Sequence, residues 1–183
     1  LDRESGEKFK VKTKVVVNAT GVFSDQIVKM DQPAARPMIR PSQGVHIVLE
    51  RSFLNGPHAI MIPHTSDGRV LFAVPWHNHV VVGTTDTPID HAAEEPKALE
   101  EEINFILSNA AQYMTKKPRR LDVKSVFVGL RPLAAQQGNS NLTKEVSRHH
   151  KVNVSTSGLI SVLGGKWTTY RKMGEETINT ATV

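Results

Sequence analysis

Cysteine is absent from all 183 residues. Disulfides and thiolate metal sites are thereby excluded, and the chemistry suits a reducing, cytoplasmic setting. Long apolar runs are missing too, with nothing approaching the roughly 18–20 apolar residues of a membrane-spanning helix. The opening segment, LDRESGEKFKVKTK, is charged and carries no signal-peptide core. Tryptophan and tyrosine number two each, a poor supply for stacking on nucleobases. Net charge is +5, yet the Lys and Arg residues are scattered. Their longest run, Lys116-Lys117-Pro118-Arg119-Arg120, reads as a solvated connection. No nucleic-acid partner is expected. An anionic small molecule, or an acidic membrane face met peripherally by a larger parent protein, accounts for the surplus charge. Neither a GxSxG elbow nor a GxGxxG opening a βαβ unit is present. No metal is expected either: His77-x-His79 straddles a hairpin tip, and His149 and His150 point apart on a strand.

What is present suits one sizeable core with a small satellite, at 39% hydrophobic content. Residues 8–18 (KFKVKTKVVVN) alternate and then become continuously apolar, which predicts a strand already under way by Lys10. Ala19-Thr20-Gly21 is its turn, and Ser24-Asp25 can cap a short helix to about Lys29. The proline-rich segment DQPAARPMIRP reads as a crossover. From 38 to 87 short apolar runs alternate with turn-like links at Asn55-Gly56, Ser66-Asp67-Gly68 and His77-Asn78-His79, implying an antiparallel sheet. Residues 96–114 predict a helix, with Pro96 and Glu100–Glu102 at its start and a stripe of Leu99, Ile103, Ile106, Leu107 and Ala110. Strands are expected near 122–130, 146–154 and 158–163, then a helix over 167–181. The fold class is α+β, a mainly antiparallel sheet backed by helices.

Residues 158–174 (GLISVLGGKWTTYRKMG) carry the most chemical information. A buried strand breaks at Gly164-Gly165 and restarts as a helix near Thr168, gathering free backbone N–H groups and the positive end of a dipole. Lys166 adds a full charge there. Such a place welcomes a phosphate or another anion; it is equally the form of an ordinary glycine turn and helix cap. Arg131 follows an apolar strand and precedes a proline, a placement that suits a forked grip on phosphate or carboxylate, or pairing with a neighbouring acid. His46 sits mid-strand between Val45 and Ile47, either structural or lining a pocket. Asp86 reads first as a turn residue.

Seven segments stand in the order of one family: VVVNATGVFSD (15–25), PSQGVHIVL (41–49), DGRVLFAVPW (67–76), VVGTTDTP (81–88), VGLRPL (128–133), VSRHHKV (146–152) and GGKWTTYRKMGE (164–175). From about residue 15 to 180 the chain resembles the FAD-dependent glycerol-3-phosphate dehydrogenases, a branch of the D-amino-acid-oxidase-like flavoproteins. Phe23 stands where relatives often carry tryptophan, and Gly174 where they usually carry alanine.

The resemblance implies an internal piece of a longer enzyme, without the GxGxxG portion. Residues 1–35 would be a remnant of the FAD-binding domain, 36–157 the substrate-binding β domain, and 158–183 a strand-turn-helix returning to the FAD domain. These end segments would be Rossmann-like. The implied activity is oxidation of sn-glycerol 3-phosphate to dihydroxyacetone phosphate, with hydride passing from C2 to FAD and electrons onward to quinone or oxygen. Lys166 and His46 would be catalytic and address the C2 hydroxyl, while Arg131, Arg148 and Thr169 would bind substrate. The cofactor would meet Ala19, Thr20, Gly21, Gly164, Gly165, Lys166, Trp167 and Thr168. Two other readings remain at this point: an amino- or hydroxy-acid oxidase of the same superfamily, and a piece that is non-catalytic by itself.

Overall fold

A computed structural model describes residues 1–2, 4–135 and 149–182. Its organising element is one long strand, β2 (Ile39–Glu50), which has partners along both edges. One edge is lined by β7 (Ser125–Ala134), running antiparallel from Ile39↔Ala134 to Val48↔Ser125. Along the other lie β5 (His79–Gly83) and β6 (Thr87–Pro88), also antiparallel. The sheet continues through β4 (Leu71–Trp76) to β3 (Ile60–Ile62). The β4–β5 hairpin turns on His77-Asn78, where His77 takes a left-handed φ of 51°.

Period-two alternation decides which face is covered. Val45, Ile47, Leu49, Leu71, Ala73, Val80 and Val82 are fully buried on one face. There they meet Ile103, Ile106, Leu107 and Ala110 of α2 (Glu100–Ala110). Among their alternates, Phe72, Val74, Trp76 and Phe127 are exposed. That second face is the one on which the candidate site stands.

A smaller sheet has the order β1 (Val17–Asn18), β9 (Ile160–Leu163), β8 (Lys151–Val154). The first pair is parallel and the second antiparallel. Helix α1 (Ser24–Asp31) follows β1, and α3 (Tyr170–Ala181) follows β9 through a 3₁₀ turn at Trp167–Thr169. The α+β expectation holds, with a mostly antiparallel sheet and few helices.

Several boundaries differ from expectation. The strand over 8–18 shortens to Val17–Asn18, because β9 pairs only there and an alternating pattern makes no ladder without a neighbour. The helix over 96–114 shortens to Glu100–Ala110. Leu99 lies outside it with extended backbone and 46% exposure, so it is not part of the buried stripe. Ser24-Asp25 do not cap α1: Ser24 Oγ donates to Gly21 O, and the Asp25 carboxylate accepts from the N–H groups of Met38 and Ile39. That contact ties α1 to the start of β2. The strand expected over 146–154 is described at Lys151–Val154, where it pairs with β9. Among the described residues no helix is long and apolar enough to cross a membrane.

Candidate active site

Directly opposed residues on neighbouring strands share a face. Ser42, Gly44 and His46 of β2 therefore stand on the open face together with their β7 partners Arg131, Gly129 and Phe127. The His46 ring stacks on Phe127 with centroids 5.0 Å apart and planes 4° from parallel. Beneath it lies the bare backbone of Gly83, where a Cβ would sit 2.3 Å from His46 Cδ2. Arg131 repeats the device: a Cβ on Gly44 would come within 2.4 Å of its Nη2. Two planar side chains thus rest on two glycines in mid-sheet, where any side chain would lift them off.

The guanidinium is held at both ends. Nη2 donates to Thr84 Oγ1 at 3.0 Å, and Nη1 lies 3.5 Å from Asp86 Oδ1. Asp86 also accepts a short hydrogen bond from Ser42 Oγ. Asp86, expected as a turn residue, is instead a nearly buried carboxylate beside the arginine, with 7% side-chain exposure.

Burial, with the Arg131 charge as the lesser cause, holds the His46 imidazole below its ordinary value of 6.5. It is therefore the neutral ring that meets the site at neutral pH, able to accept a proton. Since the unfolded chain binds that proton more readily, His46 contributes stability above about pH 6.5, and the contribution is lost as pH falls through the folded value. We expect a proton titration of the His46 ring to centre below 6.5 and to move upward in Arg131→Gln, where the repelling charge is gone. An unchanged midpoint would show that the two groups do not interact.

Two further segments converge on the end of β7. The parallel pair β1 and β9 ends in two turns, Ala19-Thr20-Gly21 and Gly164-Gly165-Lys166, which leave the same edge of the small sheet. The turn Gly21–Phe23 packs against β7. Gly164 and Gly165 have φ of 70° and 86°. A Cβ on Gly164 would lie 2.8 Å from the His149 carbonyl and 3.3 Å from Ala134 Cβ, so the turn abuts the strand that carries Arg131. Arg131 is three residues from Ala134, roughly 10 Å along a strand.

Not every expected hydroxyl is available. Thr20 Oγ1 donates to buried Asn18 Oδ1 at 2.7 Å. Thr169 Oγ1 donates to Lys166 O at 3.0 Å and accepts from Lys166 N, so it closes the turn before α3. Lys166, Trp167 and Thr168 are exposed, and Trp167 faces Tyr170 with centroids 5.8 Å apart. Arg148 lies outside the described residues. His150 meets Glu176 of α3 at 2.6 Å, and that bond foremost holds the Glu176 carboxyl below its ordinary range.

Sequence reasoning passed over Gly44, Gly83 and Glu102. The two glycines carry a readable signal, since glycine inside a strand marks a close approach. Glu102 was grouped with its exposed neighbours Glu100 and Glu101, yet it precedes Ile106 by one helical turn and shares its buried face.

The family model described as FAD dependent oxidoreductase matches residues 1–171. A mitochondrial glycerol-3-phosphate dehydrogenase of Bos taurus is 45% identical over 179 residues, covering 97% of this chain and 24% of its own length. A probable mitochondrial glycerol-3-phosphate dehydrogenase of Dictyostelium discoideum is 42% identical, covering 97% of this chain and 29% of its own. The X-ray structure of glycerol-3-phosphate dehydrogenase from Bacillus halodurans complexed with FAD superposes with a TM-score of 0.82 and 34% identity, over 98% of this chain and 34% of that one. Glycine oxidase from Bacillus cereus, at 16% identity and a TM-score of 0.55, shares the fold. The chain thus spans about a quarter to a third of the relatives it matches. By the family match over residues 1–171, it belongs to the FAD dependent oxidoreductase family.

Proposed function

We propose that this chain is the substrate-facing part of an enzyme that oxidises sn-glycerol 3-phosphate to dihydroxyacetone phosphate. One observation carries the reading. Arg131, pinned over Gly44 between Thr84 and Asp86, stands on the same sheet face as a neutral His46. This pairing joins a fixed anion fork to a proton acceptor, as an alcohol carrying an anionic group requires. Relatives named glycerol-3-phosphate dehydrogenase support it.

The residues at the paired turns fit a dinucleotide cofactor. Gly164 and Gly165 adopt left-handed backbone that side chains resist, and Gly21 does so at φ 61°. Glycine turns at the carboxyl ends of parallel strands allow close backbone approach to a phosphate-bearing ligand. Ala19, Thr20 and Gly21 from one turn, with Gly164 to Thr168 from the other, would hold FAD. When bound, FAD supplies the two-electron oxidising power. The protein's part is then positional and electrostatic. Arg131, with Arg148 as a second ligand, holds the phosphate. His46 takes the proton of the C2 hydroxyl at a ring nitrogen. Lys166 sets a positive charge at the start of the 167–169 turn, where negative charge develops. We further propose that residues 1–35 and 158–183 belong with the cofactor portion, that quinone is the acceptor, and that the isolated 183-residue chain is inactive.

Steady-state assays of the full-length protein test this. Activity with glycerol 3-phosphate well above that with glycine or sarcosine is expected, and quinone should outpace oxygen as acceptor. A preference for the amino acids would overturn the substrate assignment. For the site itself, Gly83→Ala should fold, since the ring it displaces can swing outward, yet lower kcat/KM by at least about tenfold through loss of the His46 placement. Wild-type kinetics with this variant would remove His46 from the chemistry.

A further inference from the structure

In the segment that follows β5, the side-chain contacts alternate between two directions. Thr84 and Asp86 point to the open face and hold Arg131. Thr85 and Thr87 point the other way, and both donate to Glu102 Oε1, at 3.0 and 2.6 Å. Glu102 is 4% exposed, in the first turn of α2. Its other oxygen, Oε2, accepts from Gln43 Nε2 at 2.7 Å and from the Leu99 N–H at 2.9 Å. Four donors therefore converge on one buried carboxylate. Thr85 is engaged twice, because its Oγ1 also accepts from Val45 N at 2.9 Å. Gln43 additionally donates to Lys97 O at 3.0 Å.

A carboxylate accepting at both oxygens satisfies this set. An amide of the same shape can keep its oxygen toward Gln43 and Leu99 only by turning its NH₂ to Thr85 and Thr87, which forces both hydroxyls to accept and their hydrogens to point elsewhere. Glu102 caps the start of α2 by accepting from the Leu99 N–H, and it does more than that cap needs: unlike exposed Glu100 and Glu101, it is buried and also takes hydrogen bonds from Thr85 and Thr87. It clamps the back of the four-residue segment Thr84–Thr87, whose front holds the arginine.

We propose that Glu102 is a positioning residue for substrate: by fixing Thr85 and Thr87 it sets where Thr84 and Asp86 hold the Arg131 guanidinium, and so sets affinity for the phosphate. The inference rests on the reading of Arg131 as a phosphate ligand. It assigns affinity to a side chain on the far side of the sheet from the substrate.

The test is a double-mutant cycle in the full-length FAD-loaded enzyme, using Glu102→Gln, Arg131→Ala and the double variant. KM and kcat for glycerol 3-phosphate are read alongside inhibition by inorganic phosphate, with FAD content as a control. Glu102→Gln is expected to raise KM and weaken phosphate inhibition about tenfold, with kcat changing much less. In the Arg131→Ala background the same substitution should change neither value further. A full tenfold effect persisting without Arg131 would overturn the proposal while leaving the phosphate reading intact. An unaltered KM in Arg131→Ala alone would instead sink the phosphate reading, and this inference with it. Should Glu102→Gln fail to fold, Thr87→Val removes one of the four donors and carries the same cycle, with a smaller shift in the same direction.

Discussion

Lys166→Ala in the full-length, FAD-loaded enzyme should lower turnover by about 10²- to 10³-fold while FAD stays bound. The side chain is exposed and stands directly before the 3₁₀ turn Trp167–Thr169 that leads into α3. A helix start offers only about half a unit charge. An ammonium beside it therefore supplies most of the local positive field. Truncation should not unravel the turn, because Thr169 closes it through the Lys166 backbone, donating to Lys166 O and accepting from Lys166 N. Gly164 and Gly165 also keep their conformation, so cofactor contacts made by backbone survive. Single-turnover kinetics with the bound FAD spectrum as a loading control would separate chemistry from binding. Unchanged turnover would remove the proposed role, and loss of FAD would make Lys166 a cofactor anchor instead.

Arg131→Ala should lower kcat/KM for glycerol 3-phosphate by roughly 30- to 150-fold, the equivalent of about 2–3 kcal/mol for one charged hydrogen-bonding group. The loss should fall mainly on KM, because a phosphate remote from the reacting carbon is gripped in ground and transition states alike. Some stability should go as well. Without the guanidinium, nearly buried Asp86 keeps Ser42 as a donor but loses its cationic neighbour. Arg131→Lys separates charge from shape: it preserves the cation but cannot lie flat over Gly44 while reaching both Thr84 and Asp86. An intermediate KM is expected for it. Equality with wild type would mean that the fork geometry is irrelevant.

What could be read from sequence followed from periodicity. Short apolar runs between turn-like links located the strands of 38–87, and residue parity set His46 opposite Val45 and Ile47. The strand-glycine-helix grammar of 158–174 likewise located the second turn. Relations between strands were harder to read. KFKVKTK has the spacing of a strand, yet only Val17–Asn18 pair, since a ladder depends on a neighbour that no local pattern specifies. Asp86 looked like a turn residue because its arginine is 45 residues away. Glu102 read only as one of three acids at a helix start, because three of its four donors come from Gln43, Thr85 and Thr87, outside the helix. In each case the missing information was a partner from another element, which no local pattern names.

The hydrogen bond from Asn18 to Ser161 joins residues 143 apart. On a nascent chain the meander from β2 to β5 can zip as soon as Gly83 emerges, since its pairings are mostly between near neighbours in sequence. The short strand at Val17–Asn18 must wait for Ile160, a lag of roughly 4–15 s at a ribosomal pace of about 5–20 residues per second. Once Arg131 has emerged, for roughly the last 1.5–6 s of that interval, the arginine platform can exist without its companion turns. The two halves of the site are thus born at different times, and the last of them sets when the protein first becomes competent.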